Sequence, residues 1–216
     1  MRERNYYLGF SNFPGVGPIK FGKLLKHFGS AKAAWGSSIV DLGPIIGRSY
    51  AAKFDQFRKE FGIDAYLKRL NKQKISFVCL NEKEYPPLLK KIPNPPIVLY
   101  VKGNQKILRF AQNDNRSIAI VGTRHITGYG RSITEMFAGE LARAGLVIIS
   151  GMAYGVDGVA HQATIDAGGK TIAVLGNGVD LPYPRENQKL YEDILDSGGA
   201  IVSEFPPGEP PSVGSF

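Results

Sequence analysis

The stretch from Ser117 to Ser150 constrains this chain more than any other, because it reads as a strand, a glycine-bearing turn, a helix and a second strand. Ile118-Ala119-Ile120-Val121 and Leu146-Val147-Ile148-Ile149 are apolar runs without polar alternation, the pattern of parallel strands covered on both faces. Between them Ile133, Met136, Phe137, Leu141 and Ala144 recur at helical spacing, which predicts one helix burying that face against the sheet. Gly145 is placed to end it. Parallel neighbours joined this way form a right-handed crossover, so Gly122-Thr123-Arg124 falls at the carboxyl end of its first strand. Open α/β sheets bind ligands along that edge.

The same alternation continues downstream. Gly151 to Gly155 reads as a turn, Val156 to Ala167 as a helix stopped by Gly168-Gly169, and Thr171 to Leu175 as a third buried strand. Gly176-Asn177-Gly178 makes a further glycine turn, Tyr183-Pro184 precedes a helix from Glu186 to Leu195, and Ala200 to Ser203 is a fourth parallel strand. Each strand ends in glycine or a small residue, which lets backbone N–H groups and helix N-termini face an anion. Upstream, Lys74 to Leu80 and Ile97 to Val101 read as strands joined by a proline-rich bend, and the prolines place them toward an edge. Ile107 to Phe110 reads as a short helix or turn, and Gln112 to Arg116 as a flexible lead-in.

Residues 1–73 read differently, as short helices joined by glycine turns, so the expected organisation is a small all-α domain over 1–73 and an α/β domain over 74–216. PGVGP leads into a helix from Ile19 to Phe28, and Gly29-Ser30 caps the next, which contains Ala31 to Trp35. The pattern resembles a helix-hairpin-helix element, in which Gly15 and Gly17 would let the turn approach a nucleic-acid phosphate while Lys20, Lys23 and Lys26 add charge. The alternative is a packing role for the glycines and a solvated face for the lysines. Tyr50, Phe54, Phe57, Phe61, Tyr66 and Leu70 form an apolar set better suited to a core than to base stacking.

Charge divides the same way. The chain carries +8 overall, yet residues 1–110 hold 20 Lys and Arg against 7 Asp and Glu, whereas residues 111–216 hold 7 against 12. A basic first half suits a polyanionic partner; the mildly acidic second half does not by itself. The single cysteine, Cys79, cannot form an internal disulfide and reads as a buried inert thiol, which fits a reducing, cytoplasmic setting. MRERNYYLGF lacks the apolar core of a secretory signal, and no apolar run reaches a membrane span.

Several chemistries are disfavoured by pattern. G-x-G-x-x-G is absent and the second strand ends in Ser150 where an acidic ribose ligand would be wanted, so dinucleotide binding is not expected. Gly168-Gly169-Lys170-Thr171 lacks the earlier glycine of a P-loop, and no other cofactor or metal site is indicated. Asp157 and His161 share a helical face, but without a third ligand or a nucleophile the reading is that Asp157 orients the turn and His161 satisfies a buried hydrogen bond. Lys170 precedes the third strand, opposite the ligand edge.

Four motifs in this order are specific together: VGTRxxTxYG, SGMAYGVDGVAH, GGKTIAVLGNGVDxxYPxxN and GGAIVSEFPPG. They resemble the DprA/Smf family of DNA-processing proteins over about Ser117 to Gly208, and YPPLLKKIPNPPIVLYVKG resembles the stretch preceding that domain. The resemblance implies an extended Rossmann-like, mostly parallel sheet with helices on both faces. It further implies a noncatalytic protein that binds and protects single-stranded DNA, loads the RecA recombinase in natural transformation, and acts as a homodimer. Carried over by motif, Gly122, Thr123 and Arg124 match the first glycine turn, whose arginine faces phosphate, Ser150 and Gly151 the second, and Gly176, Asn177 and Gly178 the third. Family members continue past the last proline-rich segment, so the resemblance implies that part of the basic pocket and dimer surface lies beyond Phe216. The rival class is a nucleotide-processing phosphoribohydrolase on a related fold, whose PGGxGTxxE signature Gly198 to Glu204 matches only in part.

Overall fold

In the computed structural model of the chain, residues 1–108, 116–212 and 214 are described. Two compact units emerge, one of residues 1–73 with 77–99 and one of residues 74–76 with 100–216.

The first unit holds six helices: α1 (Glu3–Ser11), α2 (Pro18–Phe28), α3 (Ala31–Gly36), α4 (Ile39–Ile46), α5 (Arg48–Glu60) and α6 (Ile63–Lys72). Their boundaries follow local chemistry. Pro18 opens α2 without a missing bond, Gly29 closes it at φ +78, and the Ser30 hydroxyl accepts from Ala33 N to start α3. Phe10, Phe21, Leu24 and Phe54 are fully or almost fully buried, and Phe10 stacks on Phe54 with centroids 4.9 Å apart while Trp35 meets both edge-on. Of the expected aromatic set, Phe54, Tyr66 and Leu70 are buried, whereas Tyr50 stays 42% exposed.

The sheet has the order β1-β2-β6-β5-β4-β3, from β1 (Ile75–Cys79), β2 (Val98–Gly103), β3 (Ser117–Ala119), β4 (Val147–Ser150), β5 (Thr171–Leu175) and β6 (Ala200–Ser203). β3 to β6 run parallel in register Ile118↔Ile148, Ser150↔Ala173 and Leu175↔Ser203, and β2 pairs antiparallel with β6 at Tyr100↔Ser203. The helices α7 (Gly128–Arg143), α8 (Val156–Asp166) and α9 (Gln188–Asp196) make the crossovers, so the expected α/β class with a helical amino-terminal region holds. The expected short helix or turn at Ile107–Phe110 and the lead-in at Gln112–Arg116 fall largely outside the described residues. No helix among the described residues is long and apolar enough to cross a membrane.

Two packing expectations are corrected. β3 is the last strand of the sheet, with Ile118 38% and Val121 69% exposed, so it is not covered on both faces. The inward face of α7 is Thr134, Ala138, Gly139 and Ala142, while Met136 and Phe137 are 52% and 53% exposed. The reason is steric: Ala138 meets Ile148 of β4 and Ala160 of α8, and a stripe of small residues lets α7 and α8 lie close over the sheet. That approach rotates the larger residues outward.

Candidate functional site

The carboxyl ends of β3, β4, β5 and β6 carry four turns, and Asp157 in the first turn of α8 ties two of them together. Its side chain is 7% exposed; Oδ2 accepts from Gly151 N at 3.0 Å and Oδ1 from Gly122 N at 3.4 Å. These two amides are thus directed at a carboxylate of the chain itself. The expectation of bare amides awaiting an anion is corrected at both positions, because two donors converging beside a helix start are already met by the Asp157 carboxylate. The expected turn-orienting role of Asp157 is what the geometry displays.

The remaining supports are equally internal. Val156 N donates to Thr123 O at 3.1 Å, and the Ser150 hydroxyl, 3% exposed, donates to Ile120 O at 2.6 Å. Gly155 has φ +77, and a Cβ there would overlap Thr123 O and lie 2.7 Å from Arg124 O, so only glycine lets α8 start so close beneath the first turn. Asn187 Nδ2 donates to Met152 O at 2.8 Å, bracing the second turn.

The third turn is closed over. Asn177 is fully buried, its amide donating to Gly178 O at 3.0 Å and Leu181 O at 2.6 Å. A Cβ on Gly178 would come within 2.8 Å of Gly208 N and Pro206 O, since the turn after β6 lies directly on it. Asp180 Oδ1 fixes that turn by accepting from Gly208 N at 2.8 Å. Gly176 is half-buried. The side chains of Ser150 and Asn177 are therefore spent inside the protein, and of the motif positions only Gly122, Thr123 and Arg124 are exposed.

Arg124 stands on the first turn, on backbone held from below by Gly155 and Val156. The Thr123 hydroxyl accepts from His125 N at 3.1 Å, and Thr127 caps α7 by accepting from Gly130 N at 3.1 Å. Tyr129, Tyr154 and Tyr183 are also exposed around these turns, at 79%, 45% and 42%. Reading by glycine motif passes over them, although each lies inside a quoted motif. Gly198 and Gly199 precede β6 at its amino end, away from this rim. Lys170 likewise sits at the amino ends, where it lines an open cavity of about 430 Å³ with Lys106, Ile107 and Val147.

Asp157 and His161 do not act as a pair. His161 is fully buried, with Nδ1 2.6 Å from Thr171 Oγ1. The Thr171 hydroxyl donates to Ile148 O at 2.7 Å, so its oxygen must accept, which assigns the proton of a neutral ring to Nδ1. Burial pushes the imidazole down to about 4, with the Ser150 backbone partly opposing.

In the helical unit, Gly15 O accepts from Lys20 Nζ at 3.1 Å, and the same ammonium lies 3.5 Å above the Tyr50 ring. Lys20 therefore closes its own hairpin instead of projecting beside it. Gly17 is exposed at the start of α2, and Lys23 is exposed with Lys26 and His27 around an open depression of about 420 Å³. Cys79 is buried, and burial pushes its thiol up to about 12, as expected of an inert cysteine.

Against this geometry, comparison with known proteins is specific. The sequence profile of the family described as DNA recombination-mediator protein A matches residues 76–216. Protein Smf of Synechocystis is 36% identical over 216 residues, covering 99% of this chain and 54% of that protein. The crystal structure of DNA processing protein A from Streptococcus pneumoniae superposes with a TM-score of 0.78 at 31% identity, over 98% of this chain and 71% of that one. DNA processing protein A from Helicobacter pylori, described for its single-stranded DNA binding mode, superposes with a TM-score of 0.58 at 34% identity, over 66% of this chain and 61% of that one. The chain spans about half the length of the curated relatives it matches.

Proposed function

This chain belongs to the DNA recombination-mediator protein A (DprA/Smf) family, and from that premise we propose that it binds single-stranded DNA at the carboxyl rim of its parallel strands. The observation that carries the reading is Arg124, exposed on a turn whose backbone is fixed from below by Asp157, Gly155 and Val156. A guanidinium on a rigid platform can grip a phosphate with two hydrogen bonds and little entropy cost. Thr123 adds a hydroxyl beside it, while Gly122, Gly151 and Gly176 shape the rim. The protein acts without chemistry of its own, protecting the strand, delivering it to the RecA recombinase and working as a homodimer. The helical unit contributes through Lys23 and Gly17 as a secondary contact.

Fluorescence anisotropy of a labelled thymidine oligomer at two salt concentrations tests this. Arg124→Ala should weaken binding by about 1 to 3 kcal/mol, roughly fivefold to 150-fold, and flatten the salt dependence. Equal affinity and equal salt slope in the two proteins would remove Arg124 from the site. Incubation with nucleoside monophosphates separates the hydrolase reading, for which release of free base is required.

A further inference from the structure

Four tyrosines expose two-fifths of their surface or more: Tyr50 at 42%, Tyr129 at 79%, Tyr154 at 45% and Tyr183 at 42%. The ring of Tyr50 is occupied by the Lys20 ammonium. The other three fall one apiece on consecutive connections at the carboxyl rim: Tyr129 in the first turn of α7 after β3, Tyr154 just before α8 after β4, and Tyr183 between β5 and α9. Because β3, β4 and β5 are neighbours in the sheet, the three connections stand side by side. The Tyr154 hydroxyl is hydrogen-bonded to Glu186, which anchors the side chain by its tip. Tyr129 has neither a ring contact nor a side-chain hydrogen bond among the described residues, and glycines at 128 and 130 leave its surroundings open.

Electrostatics makes the arrangement informative. Residues 111–216 hold 7 basic against 12 acidic side chains, so net charge on the half that carries the rim does not by itself draw phosphate. A polynucleotide held there needs a contribution that is not ionic, and every base offers a π face to an aromatic ring. We propose that Tyr129, followed by Tyr154 and Tyr183, forms a base-stacking track across the rim, with Tyr129 stacking on the base next to the phosphate that Arg124 grips. The inference rests on the single-stranded DNA reading above and assigns it a second energetic source. It also sets a magnitude: the rim's share of the salt dependence is shallow, near −0.7 in log affinity per log salt for roughly one phosphate neutralised by Arg124.

The test uses the 216-residue chain with two labelled oligomers of equal length, one of thymidine and one abasic, with the same phosphates and no bases. Tyr129→Ala should bind the thymidine oligomer about tenfold or more weakly, bind the abasic oligomer as the unsubstituted protein does, and keep the original salt slope. Tyr129→Phe should retain affinity for the thymidine oligomer. Unchanged thymidine binding by Tyr129→Ala, or an equal loss on both oligomers, overturns the stacking track while leaving strand binding in place. Failure of the unsubstituted protein to bind either oligomer removes the DNA reading itself, and this inference with it.

Discussion

Acidification should loosen the sheet through one residue, His161. The imidazole is fully buried between α8 and β5, and burial holds its folded pKa at about 4 against 6.5 for the free side chain. A base whose folded pKa is depressed stabilises the native state above its unfolded pKa and loses that stability as pH falls, because the unfolded chain takes up the proton first. Between pH 6.5 and 4 the slope is about 1.4 kcal/mol per pH unit, so the decline from pH 6.5 to 5 is about 2 kcal/mol. The full loss is about 3 kcal/mol once the folded ring also protonates. The single tryptophan, Trp35, lies in the helical unit and does not report this half. Amide hydrogen exchange of β4 and β5 does, after correction for the intrinsic pH dependence of exchange. His161→Gln keeps a donor for Thr171 without a titrating ring, so its protection should fall less steeply over this range. Parallel curves for the two proteins, or a folded His161 titrating near 6.5 by NMR, would refute the reasoning.

The rim supports make two further predictions. Asp157→Asn presents an amide N–H₂ group where the N–H groups of Gly122 and Gly151 require an acceptor, so stability should drop by about 1 to 3 kcal/mol and these two amides should exchange faster. An unaltered melting temperature would show that the carboxylate is not the strut described. Gly155→Ala adds a Cβ against the carbonyls of Thr123 and Arg124 at a φ of +77, and should cost about 2 kcal/mol or more. Calorimetry reads this directly, and a shift smaller than that of a surface Gly→Ala control would contradict the contact.

The fold was legible where composition and position agree. β5 and β6 coincide with Thr171–Leu175 and Ala200–Ser203, since apolar runs bounded by glycine have few alternative structures. The face of α7 was not legible: Ile133, Met136 and Phe137 outrank Thr134, Ala138 and Gly139 in hydrophobicity, yet close packing on α8 selects the small residues. Periodicity finds a helix but does not choose between two plausible faces when a neighbouring helix sets the distance. The rim shows the same limit. The sequence points to Asp157 as a turn-orienting group but not to the amides it engages, because Gly122 N and its acceptor lie 35 residues apart in the chain. Ser150 and Asn177 fall on motif positions, and their burial with internal hydrogen bonds is not legible in the motif.

The outer ladder of β3 meets no further strand among the described residues, and Ile118 on β3 and Val121 just beyond it are exposed. An open row of peptide groups bordered by oily side chains is a template for any extended polypeptide that drifts against it. Pairing there would add a strand beside β3 and extend the sheet at this flank.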